Sequence, residues 1–295
     1  MDPKITIQSL IENLETLPTL PEIALQVLKL SGDPDAGINE YHDLISHDAA
    51  LTAKILRVAN SAYYGLRNKV STLKMAVVML GLEETTRLAR AFSFLQSFPS
   101  DRTGSRFDFN HFWLHNIAVS EIIQGMSKRL GYNDASDVST GGLLHDMGVI
   151  VTASFYQNEF VAVVNKVVEE RVNRLDVERE IYGMDHTEIG KELAVRWNLP
   201  EKLVEIIRYH HDPLSASPEY HFDVILAYMA NKIAQYYGVT LIVEDEPPTN
   251  LAGDPNWEVL LENSLNPSRL TANDIIAASQ EDIDRARDFL EMSVH

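Results

Sequence analysis

A chain of 295 residues, 45% apolar and 23% charged, can bury one large core or two modest ones, and this composition excludes wholesale disorder. The 25 Lys and Arg against 43 Asp and Glu leave a formal charge of −18, which argues against a nucleic-acid backbone or an anionic membrane as the main partner. There is no cysteine, so disulfides, thiolate metal sites and Cys nucleophiles are excluded, and any metal must be held by His, Asp or Glu.

The opening MDPKITIQSLIENLETL mixes charged and apolar residues and does not read as a signal peptide. No window approaches the roughly 18–20 apolar residues that a membrane helix needs, so a cytoplasmic protein is expected.

Helical spacing dominates the first third. In PEIALQVLKLSGD, Ile23, Val27 and Leu30 share a face, and Gly32 marks an end. DAALTAKILRVANSAYYG repeats Leu51, Ile55 and Val58 in the same way, with Asp48 as the N-cap and Gly65 beyond the end. STLKMAVVMLG opens at Ser71 or Thr72 and closes at Gly81, and LEETTRLARAFSFLQSF stops before Pro99. Turns this short imply a compact helical bundle.

The polar, turn-rich segment PSDRTGSR, residues 99–106, is the main expected boundary. Three regions follow from it: an N-terminal helical half over 1–98, a second helical half over 107–240, and a linker with a helical extension over 241–295. Beyond the boundary FNHFWLHNIAVSEIIQGMSKRLG, DASDVSTGGLLHDMGVIVTASFY and a long EFVAVVNKVVEERVNRLDVEREIYG read as helices. DHTEIGKELAVRWNLP, EKLVEIIRYHHDP and HFDVILAYMANKIAQYYG follow. Only VTLIV near residue 241 reads as extended, so the expected fold is all-α.

Residues 244–257, EDEPPTNLAGDPNW, read as a loop. The tail regains helical spacing through Ile275, Ile276, Ile283 and Phe289, and is expected to pack back on the body or to mediate self-association.

Among the ten histidines, His115, His145, His186, His210 and His211 stand apart, four of the five lying in or beside helices expected to pack together, and Asp146 follows His145 directly. Neighbouring residues on one helix are about 100 degrees apart, so His145 and Asp146 can lean toward one metal. Intervals of 30, 41 and 24 residues separate His115, His145, His186 and His210, each enough for a further helix and its turns. Histidines converging from several helices build metal sites in bundle cores, and imidazole with carboxylate suits Fe, Mn, Ni or Zn. Each histidine also has a plainer reading as a buried polar residue, and His210–His211 before Asp212–Pro213 equally suits a helix C-terminus.

In sequence order these motifs resemble the HD superfamily, and the chain to about residue 240 is similar to HDOD proteins, the HD-related output domain of bacterial signalling. The resemblance rests on TLPTLPEIALQVLKL, SHDAALTAKILRVANSAYYG and STLKMAVVMLG in the first half, and on FWLHNIAVS, GGLLHDMG, DHTEIGKELAVRWNLP and IIRYHHDP in the second. It implies an HD-like bundle with an N-terminal helical subdomain. By resemblance to catalytic HD phosphohydrolases, His115, His145 and Asp146 would be core ligands. His186, His210 and His211 would complete a larger site, as in HD-GYP phosphodiesterases.

The chain departs from those enzymes at three places. Asn231 stands where a further Asp is expected and is at most a weak ligand, Val149 replaces a Lys, and no GYP motif follows the histidine pair. Within KILRVANS, Arg57 and Asn60 are expected to form a structural network or a partner contact. The reading is a non-catalytic signalling module with a retained divalent metal site and no assigned catalytic residue. Signalling proteins are its expected partners, with self-association through the C-terminal helix. A metal-dependent phosphohydrolase acting on a nucleotide or cyclic dinucleotide, and a His-ligated iron sensor, are the alternatives.

Overall fold

The computed structural model describes residues 22–31, 37–61, 64, 69–97, 108–132, 135–241, 248–265 and 270–294. Over them the fold is all-α, with three short 3-10 turns and no strand. The chain forms two compact units, one within residues 108–284 and the other within 22–97 together with the final helix from residue 285. The LPTLP segment, Gly32, Gly65 and the polar stretch 99–106 lie outside the described residues.

The smaller unit contains α1 (Glu22–Ser31), α2 (Ile38–Ser46), α3 (Ala49–Ala59), α4 (Leu73–Leu80) and α5 (Leu82–Ser97). Asp48 caps α3 as expected, its carboxylate accepting the Leu51 N–H at 2.9 Å. The periodic Leu51, Ile55 and Val58 face is buried. Of the two candidate openings for α4, Thr72 takes the role and accepts the Met75 N–H at 3.2 Å, and Gly81 at φ 90° ends the helix.

Asn60 ends α3 and clamps the chain ten residues later. Its Nδ2 donates to the Leu56 and Val70 carbonyls, both at 2.7 Å, and its Oδ1 accepts the Val70 N–H at 2.8 Å. The Arg57 side chain is exposed.

The larger unit runs through α6 (Phe109–Leu130), α7 (Ala135–Leu144), α8 (Met147–Phe155), α9 (Gln157–Glu170), α10 (Arg174–Tyr182), α11 (His186–Arg196), α12 (Glu201–Tyr209) and α13 (His221–Tyr236). The short α14 (Asn256–Glu262) and the long α15 (Ala272–Val294) complete it, α15 continuing into the smaller unit. Helix α6 is buried along most of its length and packs against α7 and α13, while α11 packs against α8 and α12. Arg129 on α6 donates to Asp282 at 2.7 Å and to the Ala278 carbonyl at 2.9 Å, which fixes the first part of α15.

The larger unit corrects four local expectations. The stretch read as one helix through GGLLHDMGV breaks at His145–Asp146, because His145 Nδ1 turns back to the Gly142 carbonyl at 2.7 Å and caps the last turn of α7. His145 and Asp146 therefore occupy a turn between two helices instead of one helical face. The long run 159–183 also divides, with Arg171 in a left-handed conformation and Asn173 capping α10 through the Leu175 N–H at 2.9 Å. Residues 239–241 of VTLIV are irregular, and the remainder lies outside the described residues. The expected loop over 244–257 contains a 3-10 turn at Leu251–Gly253, and its last two residues begin α14.

Candidate metal centre

Six side chains converge in the larger unit. His115 comes from α6, His145 and Asp146 from the turn after α7, His186 from the first position of α11, and His210 and His211 from the end of α12. Asp146 is central. Its Oδ2 faces His145 Nε2 at 3.1 Å and His115 Nε2 at 3.5 Å, and its Oδ1 faces His186 Nε2 at 3.2 Å and His210 Nε2 at 3.5 Å. His211 Nε2 lies 3.2 Å from His186 Nε2. These contacts define two groups, each able to hold a metal ion, that share Asp146: His115 with His145, and His186 with His210 and His211.

Close helix packing sets this arrangement. A Cβ on Gly148 would lie 2.0 Å from the His186 carbonyl, so only glycine at the start of α8 lets α11 approach closely enough to bring His186 to Asp146. Asp185 starts α11 with a capping box, its carboxylate accepting the Glu188 N–H at 3.0 Å while Glu188 accepts the Asp185 N–H at 3.0 Å.

The outer ring nitrogens of four of the five histidines are engaged. Nδ1 of His115 donates to the Val239 carbonyl at 2.8 Å, that of His145 to Gly142, and that of His210 to Ile207 at 2.9 Å. His186 Nδ1 meets Glu178 Oε2 at 2.7 Å. With Nδ1 donating to a carbonyl, the neutral rings of His115 and His210 present the Nε2 lone pair inward, the arrangement that outer partners impose on metal-bound histidines.

Burial is the first influence on the titration of these groups. It lowers His115 and His210 to about 4 against the pull of Asp146, so both are neutral at pH 7. His186 rises to about 9 despite its burial, because Glu178 and Asp146 favour its charged form. Burial opposes ionisation of Asp146, yet His145, His186 and His210 hold it well below the usual carboxylate range.

The donor set fits a divalent transition metal: imidazole nitrogens with a shared carboxylate suit Fe, Mn, Ni or Zn better than Mg or Ca. A second sign is His145 Nε2, which is buried and has no partner in acceptable hydrogen-bond geometry although it faces Asp146. A cavity of about 430 Å³ opens onto the centre, lined in part by His115, Asp146, His186 and His211.

The structure therefore brings together His115, His145, Asp146, His186, His210 and His211. Asn231 lines the same cavity, and its Oδ1 accepts from Gln235 Nε2 at 3.0 Å. Val149 is buried in α8. Arg57 and Asn60 belong to the smaller unit. Glu178 was not expected. It lies in the charged run VERE of the long helical stretch, and its side chain is only 1% exposed and pairs with Arg174 at 2.8 Å.

An all-α unit with a buried His and Asp cluster around an HD pair defines a protein of the HD kind. The HDOD domain family model matches residues 17–213, and the chain belongs to that family. It is 28% identical over 216 residues to an uncharacterized protein of Treponema pallidum (strain Nichols), a match covering 72% of this chain and 41% of that protein. It is also 32% identical over 106 residues to ribonuclease Y of Thermus thermophilus, covering 36% of this chain and 14% of the other. The chain thus spans less than half the length of these curated relatives. Among solved structures it is similar to an HDOD domain protein with unknown function from Geobacter sulfurreducens, at 26% identity and a TM-score of 0.81, over 97% of this chain and 98% of that one. Among the described residues no single helix is long and apolar enough to cross a membrane.

Proposed function

We propose that the chain is a regulatory module of bacterial signalling whose larger unit binds a divalent transition metal through His115, His145, Asp146, His186, His210 and His211. The observation that carries this reading is the set of four imidazoles tethered at Nδ1 with their Nε2 atoms turned toward one shared carboxylate. The metal would pin α6, α11 and the turns after α7 and α12, elements far apart in sequence. A ligand at a hundred times its Kd adds about 2.7 kcal/mol of stability, so metal occupancy is an effective means of holding one helix arrangement. Partners in this reading are signalling proteins, and α15 is the element for self-association.

The residues around the centre favour binding over turnover. Stabilising the charge that develops on a phosphate in flight requires cationic groups aimed at it. Buried Val149 and the Asn231 amide occupy positions where hydrolases of the HD kind are expected to carry Lys and Asp. A phosphohydrolase is the second reading. It is favoured by the cavity that opens onto the centre and by the likeness to ribonuclease Y over 106 residues.

The two separate in an assay of metal-loaded full-length chain with bis(p-nitrophenyl) phosphate. A module gives no turnover above free metal and loses melting temperature when chelated. Turnover that disappears in a folded His145→Ala variant would replace this reading with the second.

A further inference from the structure

We propose that Thr187 and Arg208 are positioning residues of the metal centre, a clasp between α11 and α12 that sets the spacing of His186 from His210 and His211. This inference rests on the metal reading above and adds to that site two residues outside its ligand set.

The two helices deliver their ligands from opposite ends. His186 is the first residue of α11, whereas His210 and His211 follow the last turn of α12. Helix ends fray, so ligands placed there need support from outside their own helix. The tolerance is small: His186 Nε2 lies 3.4 Å from His210 Nε2 and 3.2 Å from His211 Nε2. The Nδ1 tether of His210 runs to Ile207, which fixes the ring to α12 but not α12 to α11. His211 makes no Nδ1 hydrogen bond among the described residues, so the end of α12 alone sets its place.

Thr187 directly follows His186, and Arg208 precedes His210 by two residues. Arg208 Nη1 donates to Thr187 Oγ1 at 2.6 Å, and that hydroxyl donates in turn to Asp185 Oδ1 at 2.6 Å. Arg179 Nη2 from α10 donates to Asp185 Oδ2 at 2.5 Å, so one chain of hydrogen bonds joins α10, α11 and α12. Thr187 and Asp185 are buried, and the bonds are charge-assisted, the stronger kind. One turn along α11, Gly190 leaves room for α12: a Cβ there would lie 2.8 Å from Ile207 Cγ2. Asp185 also accepts the Thr187 and Glu188 N–H groups, at 2.9 and 3.0 Å, and these bonds do not involve the hydroxyl. Removing the hydroxyl therefore releases α12 while the cap of α11 stays in place.

Thr187→Val keeps the shape and loses the hydroxyl, and Thr187→Ser keeps the hydroxyl. Full-length protein is loaded with cobalt(II) as the probe, its affinity measured by chelator competition and its ligand geometry by d–d absorption. Thr187→Val is expected to bind cobalt about tenfold more weakly, with an altered spectrum, and Thr187→Ser to match the wild type. Arg208→Met, at a side chain 26% exposed, is the second variant and should show the same loss. Combining it with Thr187→Val should add nothing, because both changes remove one interaction. A clasp that serves folding alone would lower the melting temperature of the metal-free chain and leave cobalt affinity and spectrum unchanged. That result, or equal losses in Thr187→Ser and Thr187→Val, overturns this proposal alone. A wild-type chain that binds no cobalt overturns the metal reading and this one together.

Discussion

Glu178 holds His186 from two directions: one carboxylate oxygen, Oε2, meets both the backbone N–H, at 2.8 Å, and Nδ1, at 2.7 Å. The other oxygen is bound by Arg174 Nε at 2.8 Å. The ring is thereby fixed with Nε2 toward Asp146. Partners of this kind typically contribute 10–100-fold in metal affinity, and a loss of about that size is expected for Glu178→Gln by chelator competition. Circular dichroism of the variant should remain that of a helical protein.

Metal uptake is expected to depend on pH through His186. Raised to about 9, it carries a proton at neutral pH, whereas His115 and His210, lowered to about 4, do not. A metal entering at Nε2 must displace that proton. Apparent affinity should therefore rise by about tenfold per pH unit from pH 6 to 8 and level off above the His186 value. Titrations in buffers of different ionisation enthalpy would report release of about one proton per metal.

Gly148 carries a packing prediction. An added methyl group would lie 2.0 Å from the His186 carbonyl and 2.9 Å from the Gly190 nitrogen, and both are backbone atoms that cannot rotate away. Gly148→Ala should cost about 1–3 kcal/mol in urea unfolding and weaken metal binding as α11 is pushed outward. Unchanged metal affinity in a folded Gly148→Ala would mean that His186 is not held by this contact.

Much of this was legible in the sequence, for reasons that differ by residue. Asp48 and Thr72 cap helices as expected because capping depends on a few adjacent residues. The histidines were recognisable as candidates through their residue type and their spacing by whole helices. The break at His145–Asp146 was hidden because the helix-weakening residues before it, Gly141 and Gly142, lie inside α7 and do not mark its end. The interruption is made by a side chain returning to the Gly142 carbonyl and by packing against α11. Arg171 was hidden for the opposite reason, since arginine gives no signal of a left-handed turn. Glu178 gave no signal because it stands among charged residues in the sequence, and only the tertiary fold buries it.

The central claim is that one buried carboxylate and five imidazoles form a metal site, and elemental analysis tests it most directly. Full-length protein without a histidine tag, purified without chelator, should contain about one or two equivalents of Fe, Mn, Ni or Zn per chain. Asp146→Asn, which neutralises the carboxylate that both ligand groups share, should lose most of that metal. A wild-type chain that remains free of metal after incubation with each of the four ions would contradict the account.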